Sequence, residues 1–392
     1  MRSCWVVGRT GDGGDRVAGT AKRRAPLWAR LCLAGGCVVL VASGGTAVTG
    51  QALIAKYAGS VTDNSLLEGQ AAEAAPKTNL EKGALNILLV GIDPRDDKTA
   101  PLSDSIIVAH VPSDRSRAYL FSMPRDLYVE IPEFPKANVR THHAKINAAM
   151  ALGSKIGKDK PDVASGFQLL SKTVSNRTGI KKFDAGAIIN FGGFKQILEA
   201  MGGVDMVIDQ DVVSEHLKPD GTGRDRKPGC QGHHRCSRPY TGPQKQYKKS
   251  SKPVHLQPWE ALDYARQRYG LPRTDYDRQR HQQQLIKAIA KQAMSKDIAT
   301  DPGKLRKVMN AAGKSLTFAG GEHSILDWAL ELRDLNVDDM VTIDLPGGGL
   351  GTGDDYKGEQ FDESVEGFFE AVRKDDVGEF LLDHPTFVNK ED

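Results

Sequence analysis

Five arginines fall within nineteen residues, Arg266-Gln-Arg268-Tyr-Gly-Leu-Pro-Arg273-Thr-Asp-Tyr-Asp-Arg278-Gln-Arg280-His-Gln-Gln-Gln284. The second half of that stretch opens a helix. Between Asp277 and Asp297, Leu285, Ile286, Ile289 and Ala293 form an apolar stripe at helical spacing. Carried one turn back, the stripe lands on Arg278 and Gln282, four residues apart on one face. A guanidinium on the core side of a helix is costly unless an anion meets it. One partner is a phosphate or pyrophosphate, which forked N–H groups recognise in bidentate fashion. The other is a buried carboxylate, Asp275 or Asp277. The segment alone leaves both open.

Acidic residues that such a site would need stand at the ends of strands. Leu85 to Ile92 (LNILLVGI) is a continuous apolar run of the kind buried on both faces, and it ends at Asp93. Ser105 to Val111 (SIIVAHV) follows directly after Asp104, and Arg117 to Met123 (RAYLFSM) leads into Pro124-Arg125-Asp126. Short connections favour antiparallel neighbours. In such a meander the end of the first strand, the start of the second and the end of the third share one edge, so Asp93, Asp104 and Arg125 converge. Taken singly, either aspartate is equally a turn or strand-capping acid, Arg125-Asp126 a local ion pair, and Lys145 a solvated lysine.

The remaining pattern is α/β. Helices are expected at about 164–178, 194–201, 259–266, 305–316, 324–335 and 363–372, and strands at Ala185–Asn190, Val204–Ile208 and Met340–Leu345. The Gly347–Gly353 run reads as a flexible loop. These elements belong to one domain, residues 84–376, with a C-terminal tail at 377–392. A basic insertion at 214–254 interrupts it. Residues 224–252 hold nine Lys and Arg against the single acid Asp225. The insertion is either a solvated loop or a docking surface for an anionic polymer or the wall itself.

The N-terminal end sets the compartment. Residues 1–30 form a basic tail, and the 19 residues from Leu31 to Thr49 carry no charge. At about 1.5 Å per residue they reach about 28 Å, close to a bilayer core of about 30 Å. We read 31–50 as a transmembrane helix with its basic flank in the cytoplasm; a cleaved signal peptide near Val41-Ala42-Ser43 is the competing reading. Residues 51–83 would be an extracytoplasmic stalk. Cys230 and Cys236 then lie in a loop outside the membrane, where a disulfide persists; His233 and His234 between them raise a metal site as the alternative. The formal net charge of +3 is nearly balanced, and no helix-turn-helix is visible, so a nucleic-acid partner is not expected.

Taken in order, NILLVGID ending at Asp93, SDS with Asp104, MPRD with Arg125, KINAA with Lys145, GFKQILEAMGGVD at 193–205, and ALDYARQRY followed by DYDRQRHQQQ resemble the LytR–CpsA–Psr family of membrane-anchored cell-wall enzymes. The resemblance runs from about Asn86 to Ile289. It implies a mixed central β-sheet flanked by helices in a three-layer domain, and a phosphotransferase. That enzyme moves a glycopolymer, teichoic acid among the possibilities, from an undecaprenyl pyrophosphate carrier onto the muramic acid 6-hydroxyl of peptidoglycan, with magnesium. By the family pattern Asp93 and Asp104 hold Mg²⁺, while Arg125, Arg266, Arg268 and Arg278 with Gln282 contact the pyrophosphate and Lys145 adds positive charge. Either aspartate could act instead as base toward the acceptor hydroxyl. An apolar tunnel for the prenyl chain is expected under the helices carrying Phe167, Leu169, Phe194 and Ile197. A polyprenyl pyrophosphatase using the same site and a non-catalytic membrane regulator are the alternatives. Three positions depart from the pattern: Leu102 and His281 stand where members usually carry arginine, and Asp277 where they carry glycine.

Overall fold

The computed structural model describes residues 64–68, 80 and 83–389, apart from 95, 157–159, 231–235, 237, 294, 300, 324–326, 329–330 and 333–334. The basic tail, the span at 31–50 and most of the stalk lie outside the described residues, as does much of the helix expected at 324–335. Among the described residues no helix is long and apolar enough to cross a membrane.

The elements that matter are β1 (Leu85–Ile92), β2 (Ser103–Val111), β3 (Ala118–Ser122), β4 (Tyr128–Ile131), β5 (His142–Lys145), α1 (Asn147–Gly153), α2 (Val163–Thr178), β6 (Ala185–Asn190), α3 (Phe191–Met201), β7 (Val204–Ile208), β8 (Ser250–Leu256), α4 (Pro258–Arg266), α5 (Asp275–Ala293), α6 (Pro302–Ser315), β9 (Leu316–Ala319), β10 (Met340–Ile343), β11 (Gly347–Leu350), β12 (Gly358–Phe361), α7 (Ser364–Lys374) and α8 (Val377–Asp383). Six strands form one mixed sheet in the order β9-β6-β1-β2-β3-β10. The expected meander is present: β1 pairs antiparallel with β2 and β2 with β3, while β6 and β10 run parallel to β1 and β3.

Apolar runs in the central strands follow from burial on both sides. Leu85, Ile87 and Leu89 point into one core with Ile107 and Leu120, whereas Leu88, Val90 and Ile92 point into the other with Ile106, Val108 and Phe121. The period of two in side-chain direction divides a single apolar run between two layers. Helices α3, α4, α5 and α6 cover the first face, and α1, α2, α7 and α8 the second.

Four boundaries differ from the expectation. Gly347–Gly353 is no loop throughout: β11 pairs antiparallel with β12, because glycines without side chains accept a close partner strand. Residues 250–254 belong to β8, which pairs with β7, so the insertion ends before them. Its root is a two-strand neck, Val212–Val213 against Gln246–Tyr247. The C-terminal residues are part of the domain rather than a tail. Val377, Leu381 and Phe387 are buried in the second core, and Asn389 Nδ2 donates to Gln283 Oε1 on α5 at 3.1 Å. Near the other end, Leu66 and Leu80 of the expected stalk are likewise buried.

Burial of a large apolar side chain is worth about 2 kcal/mol. Deleting residues 377–392 removes three such side chains and should therefore lower the thermal midpoint by about 10–20 °C. An unchanged midpoint in differential scanning calorimetry would mean that these residues contribute nothing to the core.

Candidate active site

A β-bulge sets the geometry. Gly91 pairs with Ser105 but Ile92 pairs with Ser103, so β2 carries one extra residue, Asp104, at this point. A bulge bends the strand and re-aims the extra side chain. Gly91 permits it, since a Cβ there would meet Ser105 Cβ at 3.0 Å. The carbonyl of Asp104 accepts a hydrogen bond from Arg278 Nη1 at 3.0 Å.

Asp93, Asp104, Arg125, Arg266, Arg268 and Arg278 together line one polar cleft of about 780 Å³, with Asp126, Asn147, Phe191, His216 and Leu102. The convergence expected from connectivity is therefore real. Arg125 Nη1 donates to Asp104 Oδ1 at 2.5 Å, and Arg266 Nη2 to Asp93 Oδ2 at 3.2 Å. Burial opposes the charge on Arg125, yet Asp104 and Asp275 outweigh it and raise its pKa. Arg278 is 5 % exposed and held by Asp275, with Nε donating at 2.9 Å and Nη2 at 2.8 Å. Burial pushes its pKa down against that pairing. Arg278 thus has the carboxylate partner of the second reading, and it also lines the cleft.

Local sequence explains the placement of Arg266. Pro258 opens α4, Glu260 accepts from the Gln257 backbone N–H at 2.9 Å in a capping box, and Arg266 is its last residue. Its guanidinium lies over the Phe191 ring at 4.5 Å. Phe191 begins α3, whose N-cap Asn190 accepts from Gly193 N at 2.6 Å.

Behind Phe191 and Arg266 a second, narrow cavity of about 70 Å³ enters the first core. Its walls are apolar, including Leu89, Phe194, Ile197, Ala265 and Leu285. Phe191 and Arg266 line both spaces and form their junction. Phe194 and Ile197 stand where the expected tunnel would lie, but Phe167 and Leu169 do not: they pack on the opposite face of the sheet, in the second core. Helical periodicity identifies an apolar face without saying which side of the sheet it covers.

Two other residues fall elsewhere. Gln282 lines the apolar cavity rather than the cleft. Lys145 is turned to Asp126 at 3.1 Å and lies over the Tyr356 ring at 5.1 Å, and it is not among the residues lining the cleft. Asn147, Phe191 and His216 were missed. Asn147 sits inside the KINAA motif and Phe191 two residues before the motif that begins at Gly193, whereas His216 belongs to the insertion, where no periodicity points to it.

His281 does not reach the cleft. It is fully buried, stacked on Tyr264 with centroids 4.3 Å apart, and its Nε2 lies 3.3 Å from Asp209 Oδ1. Burial pushes its pKa down. Nδ1 has no partner, as suits the bare lone pair of a neutral ring that donates through Nε2. In the insertion, Cys230 and Cys236 are joined as a disulfide, with Cα atoms 5.7 Å apart.

The LytR_cpsA_psr family model matches residues 53–367. The cell wall biosynthesis protein LcpA of Corynebacterium glutamicum is 28 % identical over 306 residues, covering 70 % of this chain and 52 % of that protein. This chain thus spans about half the length of that relative. The polyisoprenyl-teichoic acid–peptidoglycan teichoic acid transferase TagU of Bacillus cereus is 27 % identical over 265 residues, 68 % of this chain and 69 % of that one. Among solved structures, TagT bound to LIIa-WTA aligns with a TM-score of 0.54 at 20 % identity, covering 79 % of this chain and 96 % of that one. TagV of B. subtilis aligns at 0.51 and 23 % identity, covering 75 % and 98 %. These two likenesses carry the mixed α/β fold.

Removing one partner of a buried ion pair leaves a charge uncompensated, at about 3–5 kcal/mol. Asp275→Ala should lose that much in chemical denaturation, and adding Arg278→Met should recover most of it; failure of the second change to help would show that Asp275 stabilises by another route. His281 gives a pH signature. Its folded pKa lies below the unfolded value of about 6.5, so the unfolded chain takes up the extra proton and stability falls as pH drops below that point. Denaturation midpoints at pH 7.5 and 5.5 should differ less in His281→Phe than in the wild type, and equal differences would exclude His281 as the source.

Proposed function

The chain belongs to the LytR–CpsA–Psr family, and from that premise we propose that it is a membrane-anchored phosphotransferase of the cell wall. Its domain stands outside the membrane, and a glycopolymer passes from an undecaprenyl pyrophosphate carrier to the muramic acid 6-hydroxyl of peptidoglycan. One observation carries the reading: an apolar cavity opens at Phe191 and Arg266 into a cleft of arginines and aspartates. A ligand with a long hydrocarbon chain and a pyrophosphate head has that polarity profile along its length.

In this reading the prenyl chain enters the cavity of the first core and its pyrophosphate lies across Arg266, Arg268, Arg125 and Arg278. The acceptor oxygen attacks the sugar-side phosphorus, the bridging P–O bond breaks, and polyprenyl phosphate departs with the bond's electron pair. Guanidinium groups fixed in advance neutralise the charge that builds on the phosphoryl oxygens and on the leaving group. Asp275 and the bulge carbonyl hold Arg278, and Phe191 holds Arg266, so neither must reorganise as the reaction proceeds. The acceptor proton passes to whichever of Asp93 and Asp104 does not hold a cation, or otherwise to solvent.

Magnesium fits this donor set. It takes one or two carboxylates and completes its shell with water and substrate phosphates. Asp93 and Asp104, set at adjacent strand ends in an open polar cleft, would hold it. Among the described residues no group of three or more His, Cys, Asp and Glu forms a cage, and magnesium requires none. When bound, the ion would neutralise phosphate charge alongside the arginines.

Full-length protein in detergent, given a pyrophosphoryl-lipid-linked sugar and a peptidoglycan oligomer, should yield a covalent glycan–peptidoglycan product. Omitting magnesium or substituting Asp93→Ala should cut the rate by about a hundredfold or more, the loss of about 2.7 kcal/mol of transition-state stabilisation. Lipid phosphate released without an acceptor product would identify a pyrophosphatase, and turnover of neither kind would favour the regulator. Ala265→Leu, which narrows the cavity, should raise KM for long-chain donors and leave a short-chain donor unaffected.

A further inference from the structure

Arginines and tyrosines of the insertion and of the adjoining turn lie beside the cleft. Arg268 lines the cleft, and its guanidinium lies over the ring of the next residue, Tyr269, at 5.2 Å. From the insertion, Arg238 covers the same ring at 5.8 Å. A Cβ built on Gly270 would find Arg238 Nη2 at 4.0 Å, which places Arg238 against this turn. The Arg238 backbone has φ of 51°, the left-handed region that residues other than glycine rarely occupy. Strain of this kind is held in place by its surroundings and gathers at functional sites.

A parallel arrangement lies one hairpin away. Arg226 pairs across the ladder with Tyr240 and its guanidinium lies over that ring at 5.4 Å. Tyr240 meets His216 edge-on at 5.0 Å, and His216 lines the cleft. The disulfide Cys230–Cys236 closes the loop between these two strands. Among the described residues no carboxylate forms an ion pair with Arg226, Arg238 or Arg268; Asp225, the acid nearest in sequence, pairs with Lys218 at 3.1 Å. Elsewhere in this stretch Arg224, Lys245 and Lys248 are matched with Glu215, Glu260 and Asp211, while among the described residues Lys227, Lys249 and Lys252 have no carboxylate partner and no ring beside them. Unmatched arginines therefore coincide with the two tyrosine rings.

We propose that Arg226, Arg238, Tyr240 and Tyr269 form a subsite for the first phosphate- or carboxylate-bearing sugar units of the donor glycopolymer, selecting an anionic polymer over a neutral one. It rests on the transferase reading above. Guanidinium forks suit phosphate or carboxylate, and the tyrosine rings beneath them hold the forks in place. The donor is the occupant because this surface adjoins the cleft at two points, Arg268 beside Tyr269 and His216 beside Tyr240. A chain whose pyrophosphate lies in the cleft has its first sugar units next to that surface.

Binding tests this independently of catalysis. Full-length protein in detergent micelles is titrated with a fluorescent oligo(glycerol phosphate), with a neutral dextran of equal length, and with a soluble peptidoglycan fragment. The wild type should prefer the phosphate oligomer, with affinity that falls as salt rises. Arg226→Ala with Arg238→Ala should weaken it about tenfold, a change of about 1.4 kcal/mol, and Arg238→Glu should weaken it further, while dextran and peptidoglycan binding stay as they were. Unchanged affinity in the double variant would overturn the proposal. So would a loss confined to the peptidoglycan fragment, which would make the surface an acceptor site. If the phosphate oligomer behaves as expected but no donor is ever transferred, the subsite stands and the transferase reading falls.

Discussion

One hydrogen bond ties the site to the fold: Arg278 Nη1 to the carbonyl of Asp104. A bulge leaves an extra residue outside the ladder, and its backbone oxygen needs a donor of its own. Arg278 supplies that donor from α5, and Asp275 on the same helix holds the guanidinium in place. The helix, the central strand and the charged cleft are thereby locked to one another. A shift of β2 by one residue would move Asp104 out of the cleft and also exchange Ile106 and Ile107 between the two cores. Packing thus protects the register on which the chemistry depends.

Much of this was legible in the chain itself. The apolar run from Leu85 to Ile92 can be satisfied only by burial on both faces, and two short connections then force Asp93, Asp104 and Arg125 to one edge. Arg278 was equally readable, because the stripe that continues into Leu285 and Ile289 puts it on the covered side of its helix. The bulge was not, since nothing in SDS distinguishes a regular strand start from one with an extra residue. Nor did periodicity reveal which face of the sheet a helix covers, and for that reason Phe167 was placed beside Phe194 when the sheet separates them. Lys145 illustrates a third limit. Its motif is in order, but its direction is decided by Asp126 and Tyr356, a carboxylate and a ring brought together only by the tertiary fold.

The cleft's charges are largely balanced before any ligand enters. Asp93 has Arg266 and Asp104 has Arg125, so an incoming pyrophosphate competes with carboxylates for the same guanidinium groups. A cation on the aspartates would relieve that competition, freeing the arginines while taking over their partners. Charge exchange of this kind links the affinity for metal and for phosphate, because each makes room for the other.

The neck formed by Val212–Val213 and Gln246–Tyr247 has a consequence for how such a chain can diversify. Its two strands meet whatever lies between them, and doubling the length of an enclosed loop costs only about 0.6 kcal/mol in closure entropy. Beyond its base, where Ser214, Glu215 and Lys245 are tied to Asp263, Gln267 and Glu260 and His216 lines the cleft, the segment is open to lengthening or recharging while the bulge, the arginine helix and both cores stay as they are. The surface that this segment presents can drift at a rate set by surface tolerance, while the charged cleft is held by the far stricter demands of a double-sided core.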